Sequence, residues 1–188
     1  LSVGNPSEVN FSYDVKQGAL FQVWRGKFLD VTPAWRDRGG MQLGVPLGSV
    51  TSFTDVPTVT KLQDENTPWP GAAAFDDMDN KGYTLDKKRT PTFRYIFNDL
   101  IVSDSIAALE NGEGLSRTIT VDNAPQGVYT RIIAGNKIEN ISGDLYAVDG
   151  KSYYIRIEKK YKPIIRTQGA QQEMIVKYAA PVTYYIIW

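Results

Sequence analysis

The segment Thr92-Phe93-Arg94-Tyr95-Ile96-Phe97-Asn98-Asp99-Leu100-Ile101-Val102-Ser103-Asp104-Ser105 places two runs of β-branched and aromatic residues on either side of Asn98-Asp99. Such side chains fit a pleated, half-buried surface. Asn and Asp tolerate the positive φ that a two-residue hairpin turn demands. The segment therefore predicts a hairpin, and the same pattern continues downstream. In 115–121, Arg117, Ile119 and Val121 alternate with Thr118 and Thr120, and 128–134 reads as the next strand. Gly135-Asn136 predicts a hairpin onto 137–141, and Asp149-Gly150 joins 145–148 to 152–158. Segments 164–167, 173–178 and 182–188 complete the series. The stretch 104–111 is the one short run that also reads as a helical turn.

Upstream, Val9, Phe11, Tyr13 and Val15 alternate with Asn10, Ser12 and Asp14, a half-buried strand. Gly18 turns the chain into a second strand, where Phe21, Val23 and Arg25 oppose Gln22 and Trp24. Residues 30–48 and 54–82 read as long loops with a short strand near 49–53. Pro68 and Pro70 flank Trp69 and remove two donors that a central strand would need. Strands recurring about every 8–12 residues with turn chemistry between them predict an all-β fold. The expected architecture is a two-layer antiparallel β-sandwich of roughly 12–15 strands. It forms one domain over residues 1–188, and the start at Leu1 points to a processed protein or a segment of a longer one.

Composition narrows the chemistry. The chain has 188 residues, with 21 basic and 21 acidic side chains, no histidine and no cysteine. Disulfides, thiolate nucleophiles, zinc–thiolate sites and histidine-based triads are excluded, as is histidine ligation of heme. Zero net charge argues against nucleic acid. The short runs Lys87-Lys88-Arg89 and Lys159-Lys160-Tyr161-Lys162 sit beside Asp86 and Glu158 and read as solvated strand ends. No apolar run approaches the roughly 18 residues of a membrane span. Asp76-Asp77-Met78-Asp79-Asn80-Lys81-Gly82 starts like a calcium loop. Counted from Asp77, however, Lys81 and Lys88 occupy the fifth and twelfth positions, where oxygen ligands belong. It reads as a polar turn, so neither metal nor cofactor is expected.

The segment from Trp24 to Gly48 concentrates tryptophan, arginine and aspartate among glycines and proline. Trp35 and Trp69, both in predicted loops, are candidate platforms for stacking on a sugar ring. Arg36, Asp37 and Arg38 are the candidates for hydrogen bonding its hydroxyls. The competing reading makes Trp24 and Phe28 core residues and the charges surface ion pairs worth little. Paired carboxylates can run glycoside chemistry without histidine, and Asp30, Asp37, Glu65, Asp76 and Asp86 are candidates. Arg94 and Tyr95, with Arg89 and Tyr83, form a polar cluster or alternate across a sheet. No catalytic residue is singled out.

The segments Val9-Asn10-Phe11-Ser12-Tyr13-Asp14, Gly18 to Trp35, Arg38-Gly39, Pro46-Leu47-Gly48-Ser49 and Pro91-Thr92-Phe93-Arg94-Tyr95 together resemble a known domain type. It is a β-rich domain of large exported bacterial proteins that also carry a c-type cytochrome domain and a sorbosone-dehydrogenase-like propeller. The resemblance implies an extracytoplasmic, accessory role with neighbouring domains as partners and a link to sugar metabolism. The heme attachment pattern Cys-x-x-Cys-His is absent, so redox chemistry would belong to a neighbour. Galactose-mutarotase-like supersandwiches are similar in being large, aromatic and β-rich. Their chemistry relies on histidine, which this chain lacks. The expected function is a non-catalytic accessory module that binds carbohydrate or packs against partner domains. The alternative is a histidine-free carbohydrate-active enzyme using paired carboxylates.

Overall fold

The computed structural model describes residues 1–32, 43–53 and 55–188. Among these residues eighteen strands form antiparallel sheets. The largest sheet runs β13 (Ile138–Ser142), β14 (Leu145–Val148), β15 (Tyr153–Ile157), β18 (Val182–Ile187), β11 (Gly114–Asp122), β10 (Leu100–Ala108), β9 (Pro91–Phe97), β8 (Met78–Leu85). A second runs β1 (Ser2–Val3), β2 (Val9–Asp14), β3 (Ala19–Arg25), β6 (Val50–Ser52). A third runs β16 (Ile164–Gln168), β17 (Gln171–Lys177), β12 (Val128–Gly135), β7 (Val59–Lys61). The remaining pair is β4 (Lys27–Asp30) with β5 (Val45–Leu47).

The sandwich is read from the core. Phe11, Leu20 and Val23 of the second sheet join Ile132, Met174 and Val176 of the third in one cluster with Phe93, Leu115, Ile155 and Tyr184 of the large sheet. The two four-stranded sheets therefore face the eight-stranded one. Period-2 alternation dictates which side chains meet: Leu100, Val102, Asp104 and Ile106 of β10 are buried while Ile101 is exposed. Each fully buried Ile or Leu stabilises by about 1.5–3 kcal/mol relative to exposure. Phe97 pairs with Leu100 across Asn98 and Asp99, whose φ values of 48° and 62° make the expected primed turn.

Several expectations change. β12 and β13 do not pair across Gly135-Asn136; β12 pairs with β17 and β7, and β13 with β14. The chain passes here from one layer to the other. A Cβ on Gly135 would lie 2.8 Å from Val148 and 3.0 Å from the Asp149 carboxylate, so glycine serves close approach and not a hairpin. The stretch 104–111 is not helical, because β10 runs on to Ala108. The predicted loop 54–82 holds β7, a 3₁₀ turn at Phe75–Asp77 and the start of β8. The loop 30–48 contributes to β4 and β5. β8 escaped detection because it is an edge strand, paired among the described residues to β9 alone and exposed after Met78. With no second neighbour and little burial, nothing enforces alternation there.

Candidate functional site

Asp104 on β10 and Arg117 on β11 occupy positions where the alternation calls for apolar side chains. Both are buried, at 0% and 4% exposure. Arg117 Nε donates to Asp104 Oδ1 at 3.0 Å and its Nη2 donates to Oδ2 at 2.5 Å, a bidentate fork. Nη1 donates to the Tyr184 hydroxyl at 3.0 Å, and Nη2 also to Thr58 Oγ1 at 2.8 Å. From the opposite layer the Tyr13 hydroxyl donates to Asp104 Oδ2 at 2.9 Å. Thr58 Oγ1 in turn donates to the Gly18 carbonyl at 2.7 Å. Burial disfavours charge on Arg117, yet Asp104 and then Tyr184 more than offset it and hold the guanidinium protonated. Burial, followed by the charge of Asp104, pushes the Tyr13 hydroxyl well above the usual tyrosine range. A cavity of about 30 Å³ reaches Arg117, Thr58 and Tyr184. It has room for about one water and no substrate.

A second polar centre joins the strands of the third sheet. Glu173 on β17, 1% exposed, lies between Arg166 on β16 and Arg131 on β12. Arg166 Nε donates to Glu173 Oε1 at 2.8 Å. Arg131 Nε sits 2.9 Å from Oε2, at ion-pair distance although its N–H does not point along the contact. Burial lowers the affinity of Arg131 for its proton, and Glu173 opposes that. Arg166 Nη1 also donates to the carbonyls of Glu65 and Thr67, tying the 62–70 loop to the sheet. Both centres are consumed in holding strands together.

Trp69 lies in that loop. It is half-buried, donates Nε1–H to the Pro57 carbonyl at 2.9 Å, and packs on Leu62, Tyr129 and Ile175. Trp35, Arg36, Asp37 and Arg38 lie outside the described residues. Trp24 is fully buried and its Nε1–H is shared by the carbonyls of Lys27 and Phe28, at 3.1 and 3.0 Å. Phe28 is 42% exposed yet stacks on Trp24, with ring centres 6.1 Å apart. Among the suggested carboxylates, Asp86 Oδ1 accepts from the backbone N–H of Lys88 and Thr90, both at 2.8 Å. Asp30 Oδ1 likewise accepts from Thr32 N–H. Glu65 and Asp76 are exposed, and Asp37 lies outside the described residues. Arg94 and Tyr95 alternate across β9, one exposed and one buried.

One carboxyl pair was not anticipated. Asp14, at the end of β2, accepts backbone N–H from Lys16 and Gln17, and its carboxyl adjoins that of Asp55. Burial first, then the bond to Asp14, pushes Asp55 up to about 6.

A groove of about 880 Å³ opens between β1 and β8, the edge strands of two facing sheets. Its apolar walls include Val3 of β1, Val9 and Phe11 of β2, Tyr83 and Leu85 of β8, and Ile106 of β10. Ser2, Asn5, Lys88, Arg89 and Glu110 supply polar groups. Tyr83 pairs with Phe93 across the ladder, their ring centres 6.1 Å apart, so its ring faces the interlayer side. It is nevertheless 54% exposed, and Leu85, two residues on, 50%. A groove of this size with apolar walls and a few polar groups is typical of a binding site. Among the described residues no three acidic side chains gather as a metal site, and no helix is long and apolar enough to cross a membrane. Comparison of the chain with protein-family models finds no match, and comparison with curated proteins finds none either.

Proposed function

We propose that this domain is a non-catalytic accessory module of an exported bacterial protein that binds carbohydrate or packs against partner domains. The observation that carries the reading is where the charges are spent. Asp104–Arg117 and Arg131–Glu173–Arg166 are closed structural pairs, while the 880 Å³ groove offers an exposed tyrosine ring, apolar walls and polar groups. That combination favours holding a ligand over transforming one. The extracytoplasmic placement rests on the sequence resemblance alone. A carboxylate enzyme has one observation in its favour, the raised Asp55 carboxyl beside Asp14. Glycosidase carboxyls stand about 5 Å or more apart across a sugar, whereas Asp14 adjoins Asp55 and is engaged by the Lys16 and Gln17 backbone N–H groups, which ranks that reading second.

Titration calorimetry against a panel of neutral and acidic sugars tests the carbohydrate arm, using the wild type and Tyr83→Ala, Trp69→Ala and Trp35→Ala variants. Saturable heat lost in one variant with an intact fold assigns the platform. No heat across the panel removes the carbohydrate arm and leaves partner packing. Glycoside hydrolysis abolished by Asp55→Asn would reverse the ranking of module and enzyme.

A further inference from the structure

Among the described residues, no strand covers the inner face of the large sheet at one edge. Tyr83 and Leu85 point between the layers, yet no strand of the facing sheet lies over them among the described residues, since that sheet ends at β1. The uncovered space has the dimensions of a strand. With sheets about 10 Å apart, strands about 4.8 Å apart and a rise of about 3.4 Å, each strand residue fills about 160 Å³. A groove of about 880 Å³ therefore accommodates about five or six residues in extended form.

The two edges bordering the groove differ in how they are guarded. β8 carries a bulge between Asn80 and Tyr83, and Lys81 on its edge forms an ion pair with Asp79 at 2.6 Å. Bulges and edge lysines are devices that block strand addition. β1 carries neither a bulge nor a lysine, and its two residues give a short edge. Ser2 and Val3 are uncharged, pair in register with Ser12 and Phe11, and leave their other edge without a neighbouring strand among the described residues. An added strand therefore bonds β1 over two residues and fills the rest of the groove by side-chain packing. Beside the same groove the Arg89 guanidinium meets no ion-pair or hydrogen-bond partner among the described residues, while exposed Lys88 holds Glu110 at a long 3.4 Å.

We infer that the groove seats one extended peptide strand of a partner protein, about five or six residues long, which extends the small sheet beyond β1 and covers Tyr83 and Leu85. The strand is apolar at alternate positions, where its side chains meet Val3, Tyr83 and Leu85. It carries an acidic residue opposite Arg89. This rests on the module reading only in treating the groove as a binding surface, and it is independent of any sugar.

The probe is a fluorescein-labelled heptapeptide, Ser-Val-Thr-Val-Thr-Val-Asp, followed by fluorescence anisotropy. Saturable binding is expected, weakened at least tenfold by Leu85→Asp or Tyr83→Asp. Both side chains are half exposed, so unchanged circular dichroism checks the fold. Replacing the central residues of the peptide with proline abolishes binding, and the bound heptapeptide slows amide exchange in Ser2–Gly4. No saturation at millimolar peptide overturns the inference, as does equal binding of the proline peptide. A dimer of the protein alone that Leu85→Asp dissociates gives the groove to a second copy and also overturns it. A sugar that binds while the peptide does not keeps the module reading and removes the strand.

Discussion

Replacing Asp104 with leucine leaves Arg117 charged, 4% exposed and without its carboxylate. Removing one partner of a buried pair costs about 3–5 kcal/mol. With an unfolding entropy near 2.1 cal/mol/K per residue over 188 residues, 4 kcal/mol lowers Tm by about 10 °C. Arg117→Met is expected to cost a similar amount, because Asp104 keeps only the Tyr13 hydroxyl as donor. The double variant behaves differently. Both charges leave together, and the losses reduce to the Tyr13, Tyr184 and Thr58 hydroxyls that donated to or accepted from the pair. At about 1 kcal/mol each, that is about 3 kcal/mol. The double variant should thus be at least as stable as either single, with a coupling of several kcal/mol. Urea unfolding followed by tryptophan fluorescence, with equal m-values across the set, measures the cycle. Additive losses, or less than 1 kcal/mol for Asp104→Leu, would refute the view that charge balance, and not shape, holds this centre.

Asp55→Asn should stabilise the protein at neutral pH. The folded-state value of about 6 lies above the ordinary 3.8, so the wild type keeps full stability below about 4 and loses it as pH rises through 6. In a dry site that rise is worth about 3 kcal/mol; solvent around this partly exposed carboxyl reduces it to ~1 kcal/mol. The gain from Asn should grow between pH 4 and 6 and then level off, and a flat difference across pH would contradict the raised Asp55 carboxyl. Gly18→Ala combines a φ of 58° with a Cβ 2.7 Å from the Tyr95 ring; a loss of about 2–4 kcal/mol in urea unfolding is expected. Arg166→Met frees the Glu65 and Thr67 carbonyls and should raise proteolytic cleavage in 62–70 severalfold, while a Lys61→Met control does not.

Strand chemistry in 92–158 was legible because each strand there has neighbours on both sides or a tight turn at its end. Asn98-Asp99 names its turn through backbone sterics that operate locally. Gly135-Asn136 misled for the opposite reason: the glycine answers to Val148 and Asp149, contacts that only the assembled layers create. β2 read as half-buried, yet Asn10 and Ser12 are buried too, because Asn10 Nδ2 donates to the Gly26 carbonyl and Ser12 Oγ meets Ser2 Oγ of β1. The buried centre did leave a trace in the sequence. Asp104 shares the phase of Val102 and Ile106, and Arg117 that of Leu115 and Ile119. Opposite charges in the apolar phase of adjacent strands are a signal for an interlayer pair. The groove left no such trace, since it arises from one sheet being narrower than the one it faces.

The hydroxyl of Tyr13 and the carboxylate of Asp104 are separated by 91 residues of chain. At about 5–20 residues per second of synthesis, the first strands wait about 5–18 s for that partner to be made. Hairpins from residue 91 onward close with near neighbours, whereas the first two long strands gain their facing layer only afterwards. Such distant pairing slows folding. During that interval Phe11, Tyr13 and Val23 have no facing layer to cover them, so their apolar surface stays open to solvent until the strands from residue 91 onward are made.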